Sequence, residues 1–456
     1  MAEKPRITDT LRAWWQDKLL RGIVKNSSYI FGSNAIAVAL SMLQGILAAR
    51  LLGAEALSPL VAVIMPYASN VNRLLSFRMS ELVVRYLGQA LADERKDRAA
   101  AMVKGAALVE SITVILAYGV LVLSAPLAAR YLAKDEAFTP LFLIYGLYLL
   151  THFGYETATG VLQSFKLFNQ VALVNLGQSI ITTVLILAAW IAKWDLGAVL
   201  LAYLLGKAFA GLVIVTLAFR QLNASLGRGW WRTSLRTVPD WRAILRFAIS
   251  TNLQGTVNLA VRDSETLLIS LLRSPIEGLY YSYAMKLINM VMLPIEPFIA
   301  PTYAEIAQTT ARRDWVLTRR LLKRVSAIAA AWTLPVSLGL VVFGAWLIPF
   351  MYGPDFSPAY PALVLLLVGY GFANILHWNR PLLLALGMPV FPLKVSAVVG
   401  SFKTLLTFWL LPALGYVAEA AIMSAYFVAS IGVIIWKGLS KMRSQEIAAT
   451  NGNSEA

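Results

Sequence analysis

Residues 25–57 read KNSSYIFGSNAIAVALSMLQGILAARLLGAEAL, and between Lys25 and Arg50 no side chain is charged. At about 1.5 Å of rise per residue, this block of about two dozen residues forms a helix long enough to cross a hydrocarbon core of roughly 30 Å. Similar blocks recur along the chain. With 58% hydrophobic and 14% charged residues and a mean hydropathy of +0.66, the 456-residue chain is too apolar for a soluble protein with a charged shell. It reads as an all-α integral membrane protein. The six basic residues of the N-tail (Lys4, Arg6, Arg12, Lys18, Arg21, Lys25), with no small-residue cleavage signature after a short apolar core, make the first block a signal anchor rather than a removed peptide.

Composition excludes several chemistries. There are no cysteines, hence no disulfide, thiolate metal site, iron–sulfur cluster or cysteine nucleophile, and only two histidines, His152 and His377, leave little for zinc or haem. No phosphate loop is present, since Gly206-Lys207 lacks both the upstream glycine and the following Ser/Thr. The 40 basic residues against 24 acidic ones sit between apolar blocks rather than on a soluble face, so nucleic acid is not the partner they imply.

Apolar blocks set against charged gaps predict twelve spans, at about 26–49, 57–77, 101–123, 139–162, 171–192, 197–219, 247–271, 278–301, 325–350, 360–384, 395–414 and 417–436. Thirty Lys and Arg fall on one set of alternate loops and five (Arg50, Arg130, Lys134, Lys193 and Arg273) on the other, which places both termini in the cytoplasm. The expected organisation is an amphipathic cytoplasmic N-tail (1–25), a six-helix bundle (26–219), a basic linker with six arginines (220–246), a second six-helix bundle (247–436) and a cytoplasmic tail (437–456). Within the N-tail, residues 9–25 suit an interfacial helix, and 445–456 is polar enough for disorder. Weak echoes at offsets of 220 (Leu52 and Leu272) and 222 (Leu162 and Leu384) suggest that the bundles are a parallel repeat around a central cavity.

An ionisable group at mid-helix costs on the order of 2.5–3.5 kcal/mol on insertion scales and by default faces an interior. The spans contain Arg73, Glu110, Glu156, Lys207, Arg262, Asp263, Glu265, Lys286, Glu296 and Lys403. Lys207, Arg262 and Lys403 are near mid-depth, whereas Arg73 and Glu296, near the cytoplasmic face, suit snorkelling equally well. Arg262 and Glu265, three residues apart, fit either a local ion pair or a substrate or ion site, with Asp263 turned roughly 100° away. His152 and Glu156, four apart, fit a satisfied polar pair, a lumen pair or, least well, acid–base equipment. Pro66, Pro294, Pro297 and Pro301 interrupt the second and eighth spans. Trp190, Trp194, Trp332, Trp346, Trp378 and Trp436 read mostly as interface anchors.

The segment from Lys25 to Leu57, with its Ala49-Arg50-Leu51-Leu52-Gly53 exit, resembles the first span of the Wzx-type polysaccharide (O-antigen) flippases of the multidrug/oligosaccharidyl-lipid/polysaccharide exporter superfamily. So do SFRMSELVVRYLGQA (76–90), the run from Arg262 to Ala307 with Asp263, Gly278, Tyr280, Tyr281, Ala284, Pro294 and Pro301, and IPFMYGPDFSPA (348–359). The resemblance implies two six-helix bundles in a V, alternating access, and a polyprenyl-pyrophosphate-linked oligosaccharide moved from the inner to the outer leaflet of a bacterial inner membrane. It implies a transporter rather than an enzyme. Its partners would be membrane lipid, the lipid-linked substrate and a polysaccharide polymerase or glycosyltransferases. On this reading Lys207, Arg262, Lys286 and Lys403 hold the pyrophosphate. Arg78, Arg85 and Arg380 gather the headgroup at the cytoplasmic mouth, or else anchor to anionic lipid. Glu110, Glu156, Asp263 and Glu265 are candidates for coupling to a proton or Na⁺ gradient, and no other cofactor is expected. The rivals are a drug/cation antiporter, which needs an acidic pocket, a lipid II flippase, for which fourteen spans are expected, and a membrane glycosyltransferase or polymerase, which needs an acid–base or metal constellation.

Topology is directly testable. Accessibility tags at position 230 and after residue 450 are expected in the cytoplasm, and tags near Asp195 and Asp355 outside; a tag at 230 found outside would overturn the arrangement.

Overall fold

The computed structural model describes residues 18–76, 79–238 and 259–452, with positions 242, 244, 246, 252, 255 and 256 between the last two stretches. Of the expected interfacial helix at 9–25, residues 9–17 lie outside the described residues and 18–25 form the start of the first helix. All described regular structure is helical. Helix α1 (Lys18–Ser58) is broken at Gly53, whose φ of 71° leaves the helical region, and passes through a π-helical turn (Pro59–Ile64) into α2 (Met65–Leu75). Pro66 is the second residue of α2, directly after the π turn. The deformation of the second span is taken up by the π turn before it.

The first half continues with α3 (Met79–Ala92), α4 (Lys96–Tyr131), α5 (Thr139–Thr151), α6 (Tyr155–Ser164), α7 (Phe168–Ala192) and α8 (Leu196–Leu226). After the linker, a second π turn (Leu259–Asp263) leads into α9 (Glu265–Leu272) and α10 (Pro275–Met292), then α11 (Ile299–Ala311), α12 (Trp315–Tyr352), α13 (Ala359–Ile375), α14 (Asn379–Ala385), α15 (Val390–Leu414) and α16 (Tyr416–Gly452). The prolines at 294, 297 and 301 accompany a bend of 48° between α10 and the next helical segment. Residues 445–452, expected to be disordered, extend α16 instead.

Helices starting at 79, 96, 139, 155, 168 and 196 recur at 299, 315, 359, 379, 390 and 416, offsets of 219–224 residues. Turn geometry repeats with them. Glu94, Lys134, Lys166 and Lys193 are left-handed, and 219–222 residues later so are Arg313, Gly353, Gly387 and Gly415. Both histidines fall at equivalent interruptions, His152 between α5 and α6 and His377 between α13 and α14. The i,i+4 face that would join His152 to Glu156 is consequently broken.

Among the described residues, nine helical stretches are long and apolar enough to cross a membrane, or ten with the bent pair counted as one. That is fewer than the twelve expected. One stretch, Ala35–Ala92, runs for 58 residues across the first two expected spans, and residues 247–258, which open the seventh, are mostly outside the described ones. Leu123, Leu212 and Trp409 are among many large apolar side chains left exposed, as lipid contact requires.

Burial divides the molecule unevenly. One core joins Leu60, Leu121, Phe142 and Leu149 of the first half to Ile269, Tyr283, Leu363 and Met423 of the second. A second core, around Leu87, Met102, Leu162 and Ile214, belongs to the first half and takes in Val238 and Ile244 of the linker. Two more, around Trp315, Leu382 and Met442 and around Leu383 and Ile434, belong to the second half alone. The halves thus share apolar packing at one end and have separate cores at the other, which carries most of the basic loops. At the shared end Arg50 donates to the carbonyl oxygens of Phe350 and Met351, and Lys134 to that of Leu271 at 2.7 Å. These cations satisfy helix-end carbonyls of the opposite half. Trp378, expected as an interface anchor, is buried and donates to Ser326 Oγ at 2.6 Å.

Candidate functional site

The candidate site lies where the halves meet through charge rather than apolar packing. Arg73 Nη2 of α2 is 2.7 Å from Asp263 Oδ2 at the end of the second π turn, with both side chains well exposed, at 44% and 36%. Asn252 donates to the carbonyl oxygen of Ser76 at 2.5 Å, a second polar tie between halves. Arg262, beside Asp263, is exposed and places its guanidinium 5.0 Å from the Phe427 ring of α16. It makes no ion pair with any described carboxylate. As adjacent residues of the turn, Arg262 and Asp263 point in different directions, one toward Phe427 and one toward Arg73. Sequence reasoning allowed Arg73 to be a snorkelling residue; the structure gives it a partner across the interface.

Lys207 and Lys286 are compensated by rings. Lys207 Nζ lies 4.8 Å from the Tyr148 centroid and Lys286 Nζ 4.0 Å from that of Tyr283, the negative face of each ring attracting the ammonium. Tyr283 in turn donates to Gly45 O at 3.1 Å, so Lys286 stands beside a contact between halves. Both lysines are half-buried and neither pairs with a carboxylate among the described residues.

Lys403 departs from the expected role. It is buried, 3.0 Å from Glu265 Oε1 and 2.8 Å from Glu419 Oε1. This replaces the local Arg262–Glu265 pair, because Glu265 begins α9 and turns inward while Arg262, in the π turn before it, stays exposed. It also removes Lys403 from any open anion site, its charge already being met by two carboxylates. Glu419, the third residue of the last expected span, was missed by sequence reasoning; its one signal is an acid within the apolar run YVAEAAIM.

Glu110, a coupling candidate, serves a structural end. From α4 it accepts the backbone N–H groups of Glu156 at 2.8 Å and Thr157 at 2.9 Å. These are orphan donors of the first turn of α6, whose cap position is held by left-handed Gly154 with no side chain to offer. The carboxylate also meets the positive end of the helix dipole. Glu156 is half-buried in that turn. His152 Nδ1 lies 3.0 Å from Tyr148 O, its ring between Tyr148 and Tyr155. At the basic end Arg85 is exposed with its guanidinium 5.4 Å from the Tyr86 ring, Arg380 and Glu296 are exposed, and Arg78 lies outside the described residues. No three His, Asp or Glu side chains among the described residues converge as a metal site.

Residues 79–361 match the polysaccharide biosynthesis protein family, and the chain belongs to it. In fold it is similar to an inward-facing multidrug-resistance MATE transporter of the MOP superfamily (TM-score 0.70, 16% identity, 90% of this chain and 95% of that one). It is also similar to the lipid II flippase MurJ in an inward closed conformation (TM-score 0.69, 15% identity, 91% and 88%). The inner membrane protein YghQ of Escherichia coli K12 is 20% identical over 358 residues, 77% of this chain and 98% of that protein. The chain thus carries its family's sequence on a multi-helix membrane fold like that of these MOP-superfamily transporters.

The capping role of Glu110 predicts that Glu110→Ala, which leaves two buried N–H groups unpaired, lowers stability by about 1–3 kcal/mol. Glu110→Gln, which still offers one acceptor, is expected to cost less. Thermal melts of the purified variants test this, and a wild-type melt for Glu110→Ala would show that the cap contributes nothing.

Proposed function

We propose that the protein is an alternating-access flippase that moves a polyprenyl-pyrophosphate-linked oligosaccharide from the inner to the outer leaflet of the cytoplasmic membrane. The observation carrying this reading is Arg262, an exposed guanidinium at span depth without a carboxylate partner among the described residues, next to an ion pair that ties the two halves. An anionic headgroup entering from the basic end meets Arg262 first and then competes with Asp263 for Arg73. Pyrophosphate offers more acceptor oxygens than a carboxylate and suits bidentate guanidinium contacts. Its arrival releases the inter-half pair, and the apolar core at the other end is the place where the halves pivot.

The arrangement we infer is twelve spans in two six-helix bundles, at 26–219 and 247–436, with both termini cytoplasmic. The repeated helix starts and left-handed turns support it. So does the length of Ala35–Ala92, which at about 1.5 Å per residue exceeds two crossings of a roughly 30 Å core. The family and the fold shared with a lipid II flippase support a lipid-linked, saccharide-related substrate. A cation antiporter is less well supported, since the exposed acid of the site, Asp263, is matched by Arg73.

The test is complementation of cells lacking their own flippase, with membrane abundance measured beside surface polysaccharide. A charge-assisted contact contributes about 1.5–3 kcal/mol. Arg262→Ala is therefore expected to reach wild-type abundance with display reduced about tenfold or more, while Arg262→Lys retains part of it. Full display from well-expressed Arg262→Ala would remove this residue from the site.

A further inference from the structure

The linker between the halves also covers the basic end of the first half. Val238 and Ile244 join the core there, Trp230 and Trp231 pack on Phe219 of α8, and Lys104 of α4 donates to the carbonyl oxygen of Thr233 at 3.1 Å. The repeat sets α12 and α16 where α4 and α8 stand. At that place in the second half lies an open pocket of about 330 Å³, lined among others by Thr310 and Arg313 after α11, Trp315 at the start of α12, Leu386 after α14 and Gln445 of α16. Its walls carry unmet groups. Trp315 is 6% exposed, and its indole N–H has no acceptor among the described residues, which is disfavoured for a buried donor. Lys323, 219 residues after Lys104, is exposed and finds no carbonyl of the described chain to match Thr233. Val316 and Leu317 are 62% and 44% exposed, more than two turns ahead of the expected span at 325–350. Charge differs as well: residues 93–104 hold four basic and three acidic side chains, residues 312–324 six basic and one acidic. Of the six, Arg319 is met by Glu446 at 2.5 Å, while Arg312, Arg313, Arg320, Lys323 and Arg324 are exposed.

We propose that this surface docks an extended acidic peptide segment of a partner protein, as the linker docks on the first half. An apolar side chain of the segment covers Val316 at the mouth of the pocket, its backbone oxygens accept from Lys323 and the Trp315 indole, and its carboxylates meet Arg312, Arg313 and Arg320. The sign of the charge selects the occupant. A second copy of the linker, with six arginines, would be repelled by the start of α12, whereas an acidic segment is drawn to it. Anionic lipid fits less well, because the first half fills the equivalent place with polypeptide and because a phosphate headgroup leaves Val316 and Leu317 uncovered. The proposal takes the repeat from the fold and does not depend on what the protein carries across the membrane.

The test titrates the full-length protein, in phosphatidylcholine nanodiscs, with two fluorescein-labelled peptides: a run of Glu and Asp around a central Leu-Trp-Leu, and the same peptide with Lys and Arg in place of the acids. The acidic peptide is expected to bind about tenfold or more tighter than the basic one at physiological ionic strength. The pair Arg313→Glu and Lys323→Glu should abolish that preference. Val316→Ser, which keeps every charge, and Trp315→Phe, which keeps the ring and removes the N–H, should each weaken binding severalfold. Charge reversal at Arg228 and Arg232 of the linker should leave it unchanged, and thermal melts confirm that the variants are folded. Equal binding of the two peptides, or no binding of the acidic one, would overturn the proposal. So would wild-type binding by both Val316→Ser and Trp315→Phe, or an equal loss on reversing the linker arginines, either of which marks general charge attraction. Displacement of the acidic peptide when phosphatidylglycerol replaces phosphatidylcholine would assign the surface to lipid and overturn it as well.

Discussion

A charge inside a hydrocarbon slab has to be compensated by the protein itself, and in this chain the form of compensation differs from one residue to the next. Lys403 is met by two carboxylates, Lys207 and Lys286 by tyrosine faces, and Glu110 by the orphan N–H groups of a helix start. Apart from Lys286 and Tyr283, which share α10, these contacts join different helices and so fix one helix against another. Arg73, Arg262 and Asp263 are the exceptions in kind. They remain exposed, so their electrostatics are shared with water and respond to an arriving anion.

The two ends of the molecule differ in the physics that holds them. At one end a continuous apolar core crosses between the halves, reinforced by Arg50 and Lys134 on carbonyl oxygens. At the other the cores are separate, and the described ties between halves are an exposed ion pair and a side-chain amide. Exposed pairs contribute only about 0–1 kcal/mol, so this end can part at little cost while the other holds. Interruptions at 152–154 and 376–378 place a break in each half at the same point of the repeat, between α5 and α6 and between α13 and α14.

Much of this was legible in the sequence. Apolar blocks located the helices, the excess of basic residues on alternate loops marked the two ends, and two faint echoes gave the repeat offset that the helix starts and left-handed turns now show throughout. Charge partners were not legible. Sequence spacing offered Glu265 to Arg262 and Glu156 to His152, but a π turn and a helix break rotate those side chains apart, and neither feature has a signature in hydropathy. The partner of Lys403 includes Glu419, sixteen residues on across a helical hairpin, and the partner of Arg73 lies in the other half of the chain. Local periodicity carries no information about either contact. An acid in a span such as Glu110 is conspicuous in a sequence as a coupling candidate, while the backbone donors that it satisfies are invisible there.

The central claim is that the halves alternate about their shared apolar core. The chain has no cysteine, so spin labels attach only where one is introduced. Electron–electron distance measurements between labels at positions 97 and 316, on the basic end of each half, and at 137 and 357, on the opposite end, in lipid nanodiscs at acidic and alkaline pH, test it most directly. The account predicts two populations for each pair, with the shorter distance at one end accompanying the longer at the other. A single narrow distance for both pairs under every condition would contradict it.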